Sequence, residues 1–273
     1  MTVAQLLQCL SIIAFNVVIG FTQRSQTSQR QPFNGILNIY KPRGITSNDT
    51  CQLVKKILTE GYRERYLRSN IPKIKVGHGG TLDMHAEGVL AVGVGGGTKA
   101  LSFYLKGDKT YEATGVLGHE TDTLDINGKT LREAPWEHIT DAAFEEAVDS
   151  MNGVYEQIPP LYSSKKYRGK TLREYAIKNL PVEVKSAQVM VHRIERLRVP
   201  GLELPHFGLR VACSGGTYVR SLIRDIAYKL GTLGTMKSLV RTVKCNLNVA
   251  DSLNVSSLDY DTIVRNLNVP NLM

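Results

Sequence analysis

The chain has 273 residues, a length for one or two domains. Its 42% apolar and 22% charged residues exclude wholesale disorder, collagen and coiled coil. A net charge of +9, from 34 Lys and Arg against 25 Asp and Glu, favours a polyanionic partner: nucleic acid or an acidic membrane surface.

The first 33 residues stand apart. Val3 to Phe21 is an apolar run broken by Gln5, Gln8, Ser11 and Asn16, about long enough to span a bilayer. No acid occurs before Asp49, no basic segment precedes the run, and Arg24, Ser25, Ser28 and Arg30 follow it. This leader reads as a transit peptide or an unstructured extension, with a membrane anchor behind both. The body, residues 34–273, reads as one mixed α/β domain with no linker. Cys9, Cys51, Cys213 and Cys245 have neither CxxC nor zinc-finger spacing and read as buried hydrophobes in a reducing compartment.

Gly35 to Tyr40 is a short apolar strand, followed by a Lys41-Pro-Arg-Gly44 turn. Thr46 or Ser47 caps a helix that carries Cys51, Val54, Ile57 and Leu58 on one face. Gly61 to Ile74, basic and irregular, reads as a loop. Tyr111 to Leu117 is a strand. Ile139-Thr140 opens a helix with Thr140 as N-cap and Ile139 and Phe144 as a staple; Val148 and Met151 continue its face, and Gly153 ends it. Ser163 to Leu180 is basic and helical in its second half. Gln188 to Val199 is a strand whose alternation slips before Ile194, the mark of a bulge. Phe207, Leu209, Val211 and Cys213 alternate as a half-buried strand. Val219, Leu222, Ile223, Ile226 and Leu230 give the next helix an apolar stripe, and Gly231 stops it.

Gly93-Val-Gly-Gly-Gly-Thr-Lys99 fails as Walker A because Thr98 separates Gly97 from Lys99, and it fails as a Rossmann fingerprint at the same residue. It reads as tight turns with close backbone approach. His78, Asp83 and His85 lack the spacing of a helical ligand pair, so no metal site is expected. Two stretches can carry chemistry. Lys75-Val-Gly-His-Gly-Gly-Thr-Leu-Asp83 packs glycines, a His and an acid ahead of an apolar run. In Gly216-Thr-Tyr-Val-Arg220, with Thr217 as cap, Arg220 sits in the first helical turn, where the dipole disfavours a cation; Asp83 or an RNA phosphate would supply the missing anion. Tyrosines set among bases (Lys109-Thr-Tyr111, Tyr162 to Arg168, Tyr218 with Arg220) suit stacking on nucleobases and holding phosphates.

From Asn34 to Asp251 these segments resemble, in order, the motifs of the TruB-type pseudouridine synthases. Gly35 to Asp49 is similar to the family's first motif, and Lys75 to Leu90 to its catalytic motif. Gly97-Thr-Lys99, Lys109-Thr-Tyr111, Thr121-Asp-Thr123, Gln157 to Ser163, Ser214 to Arg220 and Leu239-Val-Arg241 follow in family order. Met84-His85 departs from the bacterial Pro-Leu pattern.

The resemblance implies a central mixed, largely antiparallel sheet flanked by helices and loops, with an RNA-gripping insertion around 162–180. It implies isomerisation of a flipped-out uridine to pseudouridine without cofactor or metal. Asp83 is then the catalytic carboxylate, Arg220 its ion-pair partner, and Tyr111 stacks on the uracil. His78 fills the space the base leaves, Tyr218 and Leu239 line the pocket, and Lys41, Arg43, Lys166 and Arg241 hold RNA. The end at Met273 leaves no room for the bacterial carboxy-terminal RNA-binding domain, so gripping falls to the catalytic domain. His78-Gly79-Gly80 and this compact end resemble eukaryotic members, which implies tRNA T-loops and similar mRNA stem-loops as substrates and a monomer in nucleus or cytoplasm. The acid-free leader makes the mitochondrion the alternative. A second reading is an RNA-binding or tRNA-folding protein whose catalysis is dispensable; a third is a nucleotide-dependent enzyme using Gly93 to Gly97.

Overall fold

The computed structural model describes residues 33–66 and 73–268. The leader, residues 1–32, and its targeting readings lie outside them. Phe33 belongs to the body: it is buried, and its ring meets Tyr62 and Tyr260 edge-on at 5.9 and 5.8 Å.

The elements run β1 (Gly35–Lys41), α1 (Ser47–Tyr66), β2 (Val76–His78), β3 (Glu87–Val94), a 3-10 turn (Gly95–Ala100), α2 (Leu101–Lys106), β4 (Lys109–Leu117), β5 (His119–Thr121), β6 (Thr130–Glu133), α3 (Asp141–Asp149), β7 (Gly153–Gln157), β8 (Lys166–Tyr167), β9 (Lys170–Thr171), α4 (Leu172–Ile177), β10 (Ala187–Leu197), β11 (His206–Cys213), α5 (Val219–Lys229), β12 (Gly234–Lys244), β13 (Leu247–Asn248), β14 (Leu253–Asn254) and α6 (Tyr260–Arg265). One ten-stranded sheet carries the order β14-β1-β3-β12-β4-β11-β10-β7, with β2 on β3 and β13 on β12. The β1/β14 and β3/β12 pairs are parallel, and the others are antiparallel, so the sheet is mixed and largely antiparallel as expected.

Local chemistry explains most of these elements. In β11 the alternating Phe207, Leu209, Val211 and Cys213 are all fully buried. The slip in β10 is a bulge between Val191 and Arg193. Thr140 Oγ1 accepts from Ala143 N at 3.2 Å and starts α3. The first helix is capped by Thr46, not Ser47: Asp49 N donates to Thr46 Oγ1 and Thr46 N donates back to Asp49 Oδ2. Two expectations need correction. α3 stops at Asp149, and Gly153, at φ +102°, opens β7 instead. Helix α1 runs past Gly61 to Tyr66, where a loop was expected. Gly61 is there for close approach, since a Cβ would come within 2.4 Å of the Tyr260 ring on α6. The glycine run after β3 is, as expected, a backbone crossing: a Cβ on Gly97 would fall 2.0 Å from the Gly35 carbonyl.

Two main apolar clusters fill the domain. One joins α3 and α5 to β4, β10 and β11; the other joins α1 to β1 and β3. Between them, the parallel β3/β12 pair sets Arg241 beside Gly88, and the β12/β4 register sets the same Arg241 opposite Tyr111. The segment that enters β3, residues 79–86, therefore lies against the middle of the sheet.

β12 ends on Lys244, paired with Lys109 of β4. Lys244 is fully buried and its Nζ has no hydrogen-bond partner among the described residues. Burial, then the nearby charges of Arg241 and Lys109, pull its pKa down to about 6; Cys245 opposes them weakly. The unfolded chain keeps a proton that the folded chain releases between about pH 6 and the ordinary value of 10.5, so stability rises with pH across that window. Lys244→Met is expected to raise the unfolding free energy near pH 6 by about 1–3 kcal/mol. The gain should shrink toward pH 10 in urea denaturation, and a gain independent of pH would contradict this reading.

Candidate active site

The Gly-rich segment is held by its backbone. Ser47 Oγ donates to Leu82 O at 3.0 Å and accepts from Leu82 N at 2.9 Å. On the far side of Asp83, Met84 O accepts from Gly44 N at 2.9 Å and from Lys41 Nζ at 3.3 Å. Upstream, Gly80 O accepts from Arg241 Nη2 at 3.2 Å. The first motif and β12 thus grip the peptide on both sides of Asp83. What the fold uses at position 84 is a carbonyl, and the Met84 side chain is exposed. Either Met or Pro supplies that carbonyl.

The Asp83 side chain is 42% exposed, yet its partner is 5% exposed: Asp83 Oδ2 lies 2.8 Å from Arg220 Nη2. The guanidinium is fixed from behind. Nη1 donates to Thr123 O at 2.6 Å, Nη2 donates to Tyr162 O at 2.9 Å, and Asp125 Oδ2 stands 3.8 Å from Nη1. The anion that the position of Arg220 calls for is therefore Asp83. Thr217 does not cap α5 as expected; its Oγ1 donates to Ser214 O, and Tyr218 is the N-cap without a side-chain cap bond. Gln157 does the anchoring instead. Its Oε1 accepts from Tyr218 N at 2.8 Å and its Nε2 donates to Tyr218 O at 3.1 Å. Ser221 and Arg224 bond Ile158 O, which ties residues 157–158 to the first turns of α5.

Asp83 and Arg220 border two cavities. The inner one, about 80 Å³, is lined by Leu82, Asp83, Tyr111, Tyr218, Arg220 and Leu239, among others. The outer one, about 490 Å³, adds His85, Asn127, Tyr162, Thr171 and Arg173. Tyr111 is buried, and that burial raises the pKa of its hydroxyl, with Arg241 drawing it partly back. A phenol held protonated is a poor base at neutral pH, so its ring is the useful part. Burial likewise raises Tyr218.

The structure brings together Asp83, Arg220, Tyr111, Tyr218 and Leu239. It separates three other expected residues from the cavities. Lys41 is buried, with Nζ donating to Pro42 O at 2.9 Å and Ile45 O at 2.8 Å besides Met84 O. All three donors are spent on carbonyls, and burial pulls its pKa down to about 8. Arg241 is buried too, with Nε donating to Val89 O at 2.7 Å. Both are corrected from RNA contacts to positioning residues. His78 is half-buried in β2 opposite Val92 and does not line the inner cavity; burial, then the charges of Arg241 and Lys244, pull its pKa below the ordinary imidazole value. Lys166 is exposed on the β8–β9 hairpin, and Arg43 is exposed on the first turn. The roles that sequence reasoning missed are those of Ser47 and Gln157 as backbone clamps, and of the Thr123 and Tyr162 carbonyls as acceptors for Arg220. Among the described residues no three His, Cys, Asp or Glu side chains converge as a metal would need.

A family model described as "TruB family pseudouridylate synthase (N terminal domain)" matches residues 66–219. The tRNA pseudouridine synthase B of Clostridium tetani is 39% identical over 230 residues, which cover 84% of this chain and 74% of that one. Pseudouridylate synthase TRUB1 of Mus musculus is 40% identical over 213 residues, 77% of this chain and 62% of its own. Among solved structures, a chain of a Cbf5-Nop10-Gar1 complex superposes with a TM-score of 0.59 at 27% identity, over 82% of this chain and 53% of that one. A chain of an H/ACA RNP bound to a substrate RNA gives 0.56 at 24% identity, a likeness of fold. The chain thus spans about half the length of those two structures. The family model and these relatives make the conclusion plain: the chain belongs to the TruB family and is a pseudouridine synthase.

Proposed function

We propose that this enzyme isomerises a flipped-out uridine in the T-loop of tRNA, and in mRNA stem-loops of the same shape, with Asp83 as the catalytic carboxylate. The observation that carries the reading is the asymmetry of the ion pair, with an accessible carboxylate aimed by an inaccessible guanidinium at the edge of a small cavity. In the reaction the N1–C1′ bond breaks, the uracil turns, C5 bonds to C1′, and the C5 proton leaves while N1 regains one. Asp83 serves it by attack on the sugar, by attack on the ring, or by proton removal. Each route needs the carboxylate charged and fixed, and Arg220 favours both.

The inner cavity is too enclosed for a base still stacked in its helix, so the nucleotide enters flipped, at a cost of a few kcal/mol. Tyr111 offers a face for the uracil, and Leu239 and Tyr218 close the walls. Exposed Lys166, Arg168, Lys170 and Arg173 around the hairpin, with Arg43 on the turn whose Gly44 bonds Met84 O, supply phosphate contacts. One copy of the chain holds every residue of this site, and we propose that it acts as a monomer.

Asp83→Asn is expected to abolish pseudouridine formation on a tRNA T-arm while RNA binding persists; full turnover in this variant would sink the assignment. Lys41→Met is expected to slow the single-turnover step about 10-fold or more, through displacement of the Asp83 peptide, at unchanged RNA affinity. Weaker RNA binding with an unchanged saturated rate would instead make Lys41 a phosphate contact.

A further inference from the structure

A separate groove of about 390 Å³ lies between α1, β2 and the 3-10 turn. Its floor includes Cys51 and Ile74, both buried, with Leu101 beside them. Lys55, Lys73 and Lys75 line it, with Gln52 and Thr98 as further polar groups, and among the described residues no carboxylate does. Every ion pair found among the described residues uses Arg or His, so none of these three ammonium groups is neutralised by a described acid. Lys73 and Lys75 are exposed on either side of the buried Ile74, on the segment that leads into β2. Lys55 and Gln52 share one side of α1 at helical spacing. The groove has no lining residue in common with the inner cavity.

Three unopposed cations around one concave surface repel each other until an anion arrives. Elsewhere this protein uses its buried cations differently: Lys41 and Arg241 are spent on carbonyls. Lys55, Lys73 and Lys75 have no such use among the described residues, and they stay at the surface or half-buried where a ligand can reach them. An apolar floor with a cationic rim suits a sugar–phosphate strand, whose ribose faces rest on the floor while its phosphates meet the rim.

We propose that this groove is a second RNA-backbone site, which engages part of the substrate outside the target loop. The proposal rests on RNA as substrate. It predicts a division of labour: the cleft at Asp83 takes the loop, and the groove takes a flanking arm and adds affinity without touching the chemistry.

The test is the triple variant Lys55→Gln/Lys73→Gln/Lys75→Gln, assayed on a complete tRNA transcript and on the isolated T-arm hairpin. For the complete tRNA, KM should rise at unchanged kcat. The slope of log affinity against log salt should fall by about 2–3, the value for three lost phosphate contacts. The hairpin should show neither change. Unaltered KM and salt slope on the complete tRNA would overturn the proposal and leave the groove to some other anionic partner. An equal loss on both RNAs would also overturn it, by placing the lysines at the target loop. If the unmodified enzyme converted neither RNA, the failure would belong to the substrate reading and not to the groove.

Discussion

A carboxylate that works on substrate must be reachable, but whatever aims it must not be. The Asp83–Arg220 pair meets both demands by splitting them between its partners. Taking a guanidinium out of water costs several kcal/mol unless its donors are satisfied. Here the carbonyls of Thr123 and Tyr162 and the carboxylate of Asp125 accept that role. The connection between β5 and β6 and the segment after β7 are thereby drawn to the N-terminus of α5. Gln157, Ser221 and Arg224 lock the same corner from the other side. Two irregular segments thereby satisfy one buried arginine.

The second constraint is the peptide around Asp83. Ser47 fixes Leu82, while Lys41 and Gly44 fix Met84, and Arg241 fixes Gly80. Two of these are cations, and neither faces solvent. The net charge of +9 is thus less a measure of RNA contact than it looks. Lys41, Lys109, Arg220, Arg241 and Lys244 are all buried. Lys109, like Lys41, donates to carbonyls, at Leu105 and Gly107. Exposed cations do stand on the β8–β9 hairpin, on the first turn and at the α1–β2 groove, among other surface positions.

Where function follows from side-chain pattern, the sequence was readable. The alternation of Phe207 to Cys213, the Thr140 cap, the bulge in β10 and the glycine crossing at Gly97 each have a local cause and each appear. The misplaced cation at Arg220 also pointed correctly to an acid. Three features were illegible for a common reason: they depend on distant chain. Gly61 looks like a helix breaker until Tyr260 arrives against it. Lys41 looks like a phosphate ligand until the carbonyls of Pro42, Ile45 and Met84 enclose it. Thr217 looks like a cap until Gln157 takes the backbone of Tyr218. Backbone carbonyls carry no residue signature, so a cation satisfied by them cannot be told in sequence from a cation left free.

The central claim is that a buried guanidinium aims the carboxylate. Its most direct test is Arg220→Lys, which keeps the charge but removes the fork that reaches Thr123, Tyr162 and Asp83 together. The measurement is the single-turnover rate of pseudouridine formation at saturating tRNA, with tRNA affinity determined on the same variant. The account predicts a rate loss of about 10²-fold at unchanged affinity. A full rate, or a loss that appears only as weaker tRNA binding, would contradict it.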